Sequence, residues 1–133
     1  MKLKPRIVKK PWGREIWLVV NNKYALKILE INANCRFSLQ YHKYKTETWY
    51  LQSGKIKATY GRYIKYIGNN KGKNKNTDFR KNLREYVLNP GDVMHVPTYT
   101  VHRLFAVKKS HIIEVSTPQL KDVVRLEDDF GRK

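Results

Sequence analysis

The chain has 133 residues, of which 41% are hydrophobic, and its 28 Lys and Arg residues against 11 Asp and Glu residues give a formal net charge of +17. This length suits one hydrophobic core and leaves no room for a second catalytic domain, so we expect a single domain over residues 1–133. We find no apolar stretch near the roughly 20 residues that cross a bilayer and no apolar core of a signal peptide. These features predict a cytoplasmic protein with no membrane partner. The single cysteine, Cys35, cannot form an internal disulfide, which fits a reducing compartment.

The positive charge raises the question of nucleic-acid binding, because basic surfaces release counterions when they contact phosphates. The Lys residues are scattered over turns, however, and the joint abundance of Lys, Asn, Ile and Tyr is typical of an AT-rich genome. We therefore do not expect a nucleic-acid partner, since charge alone is a weak indicator of one. A positive field would equally attract a phosphorylated sugar.

The first quarter of the chain predicts an arm and a hairpin. Residues 1–10 are basic and fit an arm or an edge strand, and Pro11-Trp12-Gly13 fits a turn. Residues 15–20 and 24–31 are strand-like, and the Asn-Asn-Lys cluster between them favours a hairpin turn. No helix is expected in this part.

The strongest chemical signal lies in the next two predicted strands. If residues 37–42 form a strand, alternation places Gln40 and His42 on the same side. Glu47 opens a second alternating run, which we expect to end at the turn signal Ser53-Gly54. Two strands joined by a basic turn would bring the carboxamide, the imidazole and the carboxylate around one point.

Two interpretations of these polar side chains are open. Burying a carboxylate, an imidazole and a carboxamide together is costly without a partner, and a divalent metal ion would be that partner. Alternatively, His42 caps a turn and Glu47 pairs with Lys43 or Lys45.

The chain after Gly54 predicts further short strands around one polar insertion. Residues 55–60 alternate in the pattern of a strand that faces water on one side. Residues 61–85 include a Lys- and Asn-rich run, which we expect to form a flexible basic insertion because it can bury too little apolar surface to order itself. Further strands are predicted at 86–88, 93–96, 102–107 and 111–116. This series of short strands predicts an all-β sandwich or barrel.

A second polar motif lies in residues 90–102. Pro-Gly-Asp at 90–92 is a turn signal that leads into a short apolar run, Pro97 ends the run, and His102 begins another alternating segment. A second hairpin thus supplies a second histidine, which favours the metal interpretation over the turn cap.

The two polar stretches resemble the paired motifs of the cupin superfamily, in which a metal-binding His-x-His, Glu, Gly pattern is followed by Gly, Pro and His. The intervals from His42 to Glu47 and Gly54, and from Gly91 to His102, match those motifs. The resemblance implies an all-β cupin double-stranded β-helix, a jelly-roll barrel that binds a divalent metal.

Within the superfamily, the chain resembles the type II phosphomannose isomerases and the small stand-alone cupins similar to their C-terminal domain. The likeness covers nearly the whole chain apart from the insertion, and is carried by residues 10–13, 38–42, 47–49 and 115–132. Gln40 stands at the first ligand position, where these isomerases carry a metal-binding Gln. The resemblance therefore implies a cage made of Gln40, His42, Glu47 and His102. It favours Zn, although a mixed nitrogen and oxygen set also accommodates Mn, Fe, Co or Ni.

The activity implied by the resemblance is a metal-dependent aldose-ketose isomerase that interconverts mannose 6-phosphate and fructose 6-phosphate. The candidate catalytic residues are Lys45 and Arg103. Lys45 would carry the proton between C1 and C2 or contact the phosphate, and Arg103 would contact the phosphate. A Lys base would need a pKa lowered toward neutrality. The expected substrate-pocket residues are Tyr99, Glu114, Arg125 and Arg132.

Three residues depart from the family pattern. Lys45 stands where the bifunctional enzymes carry an Arg, and it keeps the charge but loses the planar fork. Asn34 replaces a Gly of the first motif, a tolerable change because Asn also visits the left-handed region. Tyr99 replaces a Gly of the second motif, which would reshape the turn before His102 and narrow the pocket mouth.

These departures leave other functions open. The alternative to an isomerase is a non-catalytic cupin that binds a sugar or nucleotide sugar. A metal-dependent oxygenase on the same barrel is disfavoured by Gln40, because such sites present three histidines, or two with a carboxylate. The family also implies a homodimer formed through sheet edges.

Overall fold

The computed structural model describes residues 1–62 and 79–132. Within these ranges the chain forms one short 3-10 helix, Phe79–Asn82, and no α-helix. The nine strands are β1 (Arg6–Lys10), β2 (Gly13–Val20), β3 (Ala25–Ile31), β4 (Leu39–Tyr41), β5 (Glu47–Arg62), β6 (Arg84–Leu88), β7 (Val93–Val96), β8 (Thr100–Ser116) and β9 (Val124–Glu127). The all-β prediction is therefore confirmed.

All strand pairs are antiparallel, and the sheet is organised around the 17-residue strand β8. One path runs β1-β2-β3-β8-β4-β9, and β5 pairs with β8, β7 and β6. The second half of β8 pairs with β3, its first half meets β4, and β5 follows its other side from end to end. Because β8 belongs to both halves of the sheet, the sheet can curl and enclose an interior.

The prediction that a strand ends at Ser53-Gly54 is wrong, because β5 runs on to Arg62. The ladder between β5 and β8 shifts register there instead, as a β-bulge does. Gly54 has φ +99°, and a Cβ on it would lie 2.1 Å from Oγ of Ser110 on β8. The glycine thus allows a sharp bend within a continuous strand, and β8 likewise continues through the expected break at 108–110.

The alternation predicted for β5 is confirmed and builds the core. Trp49, Leu51, Ile56 and Ala58 are all buried, and Leu104 and other β8 residues meet them from the neighbouring strand. A smaller cluster on the other face of β4 contains Leu39, Tyr41 and Val101, with Tyr99, Val124 and Leu126 packed against it.

Asn34 and Tyr99 are the described non-glycine residues with positive φ, at 62° and 53°. They are also the two positions at which the motifs of the resembled family carry Gly. The prediction that Asn34 tolerates the left-handed region is confirmed. The expected reshaping of the turn at Tyr99 is not observed, because Tyr99 adopts the left-handed conformation that a glycine would supply.

The outer face of the sheet carries a straight line of apolar side chains, which we call the apolar row. Successive registers align one residue from each of β1, β2, β3, β8, β5 and β7, namely Ile7, Ile16, Ile28, Ile113, Tyr50 and Val93. The row includes large exposed side chains, with Val93 at 63%, Ile7 at 56% and Tyr50 at 41%.

The expected basic insertion lies mostly outside the described residues. Of positions 61–85, the structure describes the end of β5, the 3-10 helix and the start of β6.

Candidate metal centre and pocket

Three side chains predicted as ligands converge inside the barrel. Oε1 of Glu47 lies 3.2 Å from Nε2 of His102, and Oε2 of Glu47 lies 3.9 Å from Nε2 of His42. The three possible ligand atoms all lie within 4.8 Å of one another, and all three residues are buried. For comparison, ligand atoms about 2.1 Å from a tetrahedral ion are separated by roughly 3.4 Å.

The orientation of both imidazoles is set by backbone carbonyls. Nδ1 of His102 is 2.8 Å from the Thr100 carbonyl oxygen, and Nδ1 of His42 is in hydrogen-bond contact with the Asp122 carbonyl oxygen. A carbonyl can only accept, so each Nδ1 carries the hydrogen. Burial lowers the pKa of His42 to about 4, so its ring is neutral at pH 7.

This tautomer leaves a bare lone pair on each Nε2. Both Nε2 atoms are buried, and neither has a hydrogen-bond partner. Two lone pairs that converge on a carboxylate with no donor between them are unfavourable, unless a cation lies there. Donation of the second ring N–H to a carbonyl is the usual arrangement of a metal-binding histidine. The donor set of two imidazole nitrogens and a carboxylate therefore fits a divalent metal ion.

Gln40, the fourth predicted ligand, lies on β4 directly opposite His102 on β8. Its side chain lines the same pocket as His42 and Glu47. Oε1 of Gln40 accepts a hydrogen bond from Oγ of the buried Ser38. A hydroxyl donor leaves the second lone pair of that oxygen available, and the role of Gln40 as a ligand stays a prediction.

Lys45 and Glu114 form a buried charge network with Glu47. Nζ of Lys45 lies 2.9 Å from Oε2 of Glu47 and 3.3 Å from Oε1 of Glu114. Burial would raise the pKa of Glu47, but the Lys45 ammonium and neighbouring hydrogen bonds hold it well below 4.5. Burial and the Glu47 charge raise the pKa of Glu114 to about 8. The Lys45 ammonium thus contacts both carboxyl groups, and the carboxyl group of Glu114 keeps its proton.

The structure corrects the idea that Lys45 is a base. Burial alone would lower the pKa of Lys45, but the Glu114 and Glu47 carboxylates raise it above its usual value. The condition for a Lys base was a pKa lowered toward neutrality, and the opposite shift keeps the side chain an ammonium. The pairing of Glu47 with Lys45, which was the alternative to a metal site, exists together with the two-histidine cluster.

A pocket of about 670 Å³, including its open mouth, leads to this cluster. The predicted pocket residues Glu114, Arg125 and Arg132 all line it. Burial and the neighbouring Arg132 lower the pKa of Arg125, so an anion beside these two guanidinium groups would be stabilised.

Arg103 and Tyr99 do not line this pocket. Adjacent residues on a strand point to opposite faces, so Arg103 cannot share the interior with His102. Its Nε donates to the Phe37 carbonyl at 2.9 Å and its Nη2 to the Glu127 carbonyl at 3.1 Å. The Arg103 guanidinium thus joins Phe37 to β9, and the structure does not bring it together with the His42, Glu47 and His102 side chains.

Tyr99 lies in the smaller hydrophobic cluster, not at the pocket mouth. Its ring stacks on Tyr41 with centroids 5.9 Å apart, and its N–H donates to the His42 carbonyl at 2.7 Å. The structure therefore does not bring Tyr99 together with the other predicted pocket residues. Through its N–H, Tyr99 fixes the backbone of His42, which is a predicted ligand.

Sequence reasoning missed several pocket residues. Lys27 is buried on β3, 3.6 Å from Glu15 and 4.5 Å from the centre of the Trp17 ring, and all three side chains line the pocket. Asp122 was missed as well, although it contacts the loop that carries His42. A charged residue at an inward position of a strand could have revealed Lys27, whereas no local signal marks Asp122.

The described ranges contain no helix that is both long and apolar enough to span a membrane.

A curled antiparallel barrel with a histidine- and carboxylate-lined interior defines the chain as a cupin. The family described as mannose-6-phosphate isomerase C-terminal matches residues 2–74, more than half of the chain. The chain therefore belongs to this family, as the motif resemblance predicted.

Two curated proteins with sequence similarity are, by name, an alginate and a xanthan biosynthesis protein. The alginate biosynthesis protein AlgA of Pseudomonas aeruginosa is 25% identical over 130 residues, which is 94% of this chain and 23% of that protein. The xanthan biosynthesis protein XanB of Xanthomonas campestris is 24% identical over 132 residues, 96% of this chain and 24% of that protein. The chain spans about a quarter of the length of these relatives.

Solved structures with similar folds include KdgF from Halomonas sp., with a TM-score of 0.64 and 13% identity over 87% of this chain and 90% of that chain. CapF from Staphylococcus aureus gives a TM-score of 0.69 and 14% identity over 93% of this chain and 34% of that one. Oxalate decarboxylase from Lactobacillus farciminis gives 0.66 and 16% over 92% and 33%. At these identities the likeness shows the fold alone.

Proposed function

We propose that this cupin is a metal-dependent aldose-ketose isomerase of a sugar phosphate, with mannose 6-phosphate and fructose 6-phosphate as its substrates. The observation that carries the proposal is the pair of buried Nε2 lone pairs of His42 and His102 converging on Glu47 beneath an open pocket. Family membership supports the sugar class.

The metal would be held by His42, Glu47 and His102, with Gln40 as the fourth ligand. When bound, a divalent ion would polarise the sugar carbonyl and stabilise negative charge on its oxygen. Zinc is the ion that the resemblance favours, and Mn, Fe, Co and Ni suit the same donors.

Glu114 is the residue we propose as the proton carrier in place of Lys45. In the reaction, the C2 proton leaves while its bonding electrons form the C1–C2 double bond, the proton returns at C1, and a hydroxyl proton moves from O2 to O1. A carboxyl group with a pKa near neutrality suits such a transfer. Lys45, 3.3 Å away, would hold the carboxylate form in place and donate to a sugar oxygen.

Arg125 and Arg132 are the proposed phosphate contacts. Both line the pocket, and Arg132 is fixed by Nε and Nη2 hydrogen bonds of 2.9 and 3.0 Å to the Asp128 carboxylate. Lys10 lines the same pocket from β1. A phosphate dianion at these cations would leave the sugar carbonyl free to reach the buried cluster.

The test is a coupled isomerase assay with mannose 6-phosphate on protein loaded with each divalent metal, together with metal analysis. Turnover that His42→Ala and His102→Ala both abolish supports the proposal. His95→Ala is the matched control, because His95 is exposed and its ring forms a hydrogen bond with Thr48. Bound metal without turnover of any sugar phosphate would reject the isomerase and favour a non-catalytic cupin that binds a sugar or nucleotide sugar.

We also propose a homodimer, formed by the apolar row of two copies. Six strands at about 4.8 Å spacing make the row roughly 24 Å long. The row itself contains no charged residue. A sheet face can pack on its own copy about a two-fold axis, with the same residues on both sides. The sheet face, and not the expected edge, is thus the proposed contact.

A further inference from the structure

The loop between β4 and β5 is held by side chains of one distant segment. The three N–H groups of residues 43–45 donate to the Asp122 carboxylate at 3.2, 2.6 and 2.9 Å. The next N–H, of Thr46, donates to Oγ1 of Thr117 at 3.0 Å, and the Thr46 carbonyl accepts from the Thr117 N–H at 3.0 Å. Four consecutive N–H groups, those of residues 43–46, are therefore satisfied by the segment that follows β8.

Asp122 also contacts the histidine at the start of the loop. Its backbone carbonyl accepts the Nδ1 hydrogen of His42, the contact that turns Nε2 toward Glu47. Burial would raise the pKa of Asp122, but the three donated hydrogen bonds lower it and keep the carboxylate ionised. One residue thus fixes the loop through its side chain and the imidazole through its backbone.

We infer that Asp122 is a positioning residue of the metal centre: it fixes the β4–β5 loop so that His42, Lys45 and Glu47 meet at one point. The inference rests on the proposed metal site. Without the carboxylate, residues 43–45 would have three N–H groups to satisfy with water, and the loop would sample many conformations. The ligand atoms of His42 and Glu47, at the two ends of the loop, would then no longer be preorganised.

The experiment compares Asp122→Ala, Asp122→Asn and the control Asp92→Ala in the full chain. Asp92 also accepts a backbone N–H, from Asn89 at 2.7 Å, in the turn that precedes β7. Affinities for Zn²⁺ are measured by competition with a chromogenic chelator, and Co²⁺ absorption reports the ligand geometry. Asp122→Ala should weaken Zn²⁺ binding about 10- to 100-fold, the usual effect of losing a group that orients a ligand. Asp122→Asn should recover part of the loss, because an amide oxygen still accepts hydrogen bonds.

A second measurement on the metal-free protein separates this inference from the proposed function. Ring ¹⁵N NMR should show His42 as the Nδ1–H tautomer in wild type and as a mixture in Asp122→Ala, with Asp92→Ala unchanged. If wild type binds no metal but this tautomer shift occurs, the metal function is rejected while the positioning role stands. An Asp122→Ala protein with wild-type tautomer, Co²⁺ spectrum and Zn²⁺ affinity would overturn the positioning role. A loss of Zn²⁺ affinity in Asp92→Ala as large as that in Asp122→Ala would also overturn the positioning role.

Discussion

Glu47 and His102 lie near opposite ends of the β5–β8 ribbon, and yet their side chains are 3.2 Å apart. In the ladder, Glu47 pairs with Ser116 at one end of the ribbon, and His102 pairs with Tyr60 near the other end. The ribbon must therefore fold over on itself to bring its ends together. The register shifts between Leu51 and Ile56 are where it bends.

Gly54 is expected to be essential for this bend. Gly54→Ala and the control Gly91→Ala both place a side chain at positive φ, +99° and +97°. At Gly91 nothing lies within 4 Å of the new Cβ, whereas at Gly54 it would lie 2.1 Å from Oγ of Ser110. We expect Gly91→Ala to cost about 1 kcal/mol of unfolding free energy and Gly54→Ala at least twice that, by urea denaturation. Gly54→Ala should also weaken Zn²⁺ binding, and equal effects of the two substitutions would contradict the role of the bend.

Lys45 is expected to stabilise the fold by pairing with the buried Glu47 carboxylate. Lys45→Met leaves Glu47 without its ammonium, and breaking a buried ion pair in this way costs about 3 kcal/mol. The double variant Lys45→Met/Glu47→Gln should recover part of that loss, because the buried partner is then uncharged. Urea denaturation of the metal-free proteins measures the loss of unfolding free energy in the single variant and its recovery in the double variant. The exposed neighbour Lys43 serves as control, and a Lys43→Met variant as unstable as Lys45→Met would contradict the assignment.

The raised pKa of Glu114 predicts that the stability of the metal-free protein depends on pH. Its pKa in the folded state, about 8, is above the ordinary 4.5, so the folded state holds a proton that the unfolded state releases. Its contribution to stability is therefore complete below pH 4.5 and is lost as the pH rises toward 8. Relative to Glu114→Gln, wild type should lose unfolding free energy between pH 5 and pH 8, measured by denaturation in EDTA. Parallel pH profiles of the two proteins would show that Glu114 is ionised throughout.

The apolar row is expected to carry the homodimer. Val93→Lys adds a charge to the row, and Val87→Lys adds the same charge at a similarly exposed position on β6; the two valines are 63% and 52% exposed. Sedimentation equilibrium should show a dimer for wild type and Val87→Lys, and a monomer or at least a tenfold weaker dimer for Val93→Lys. Both variants should keep the wild-type melting temperature at low concentration, where only the monomer is present. A monomeric wild type rules out this contact.

The sequence by itself determined the strands and much of the site. Period-2 alternation is a local property, so the buried face of β5 and the shared side of Gln40 and His42 could be predicted without a fold. The same alternation places Arg103 opposite to His102. The two histidines and Glu47 were identified because the intervals between them resemble the motifs of a known family.

Only the tertiary structure decided how these parts act together. The serine at position 53 and the glycine after it have the composition of a turn, and only the pairing with β8 makes them a bulge. The shifted pKa values of Lys45 and Glu114 arise because the β4–β5 loop and β8 bury these side chains side by side, 69 residues apart in the chain. Asp122 contacts a loop 77 to 79 residues away. Such contacts depend on chain closure in three dimensions, because desolvation and Coulomb energy follow distance in space and not position in the chain.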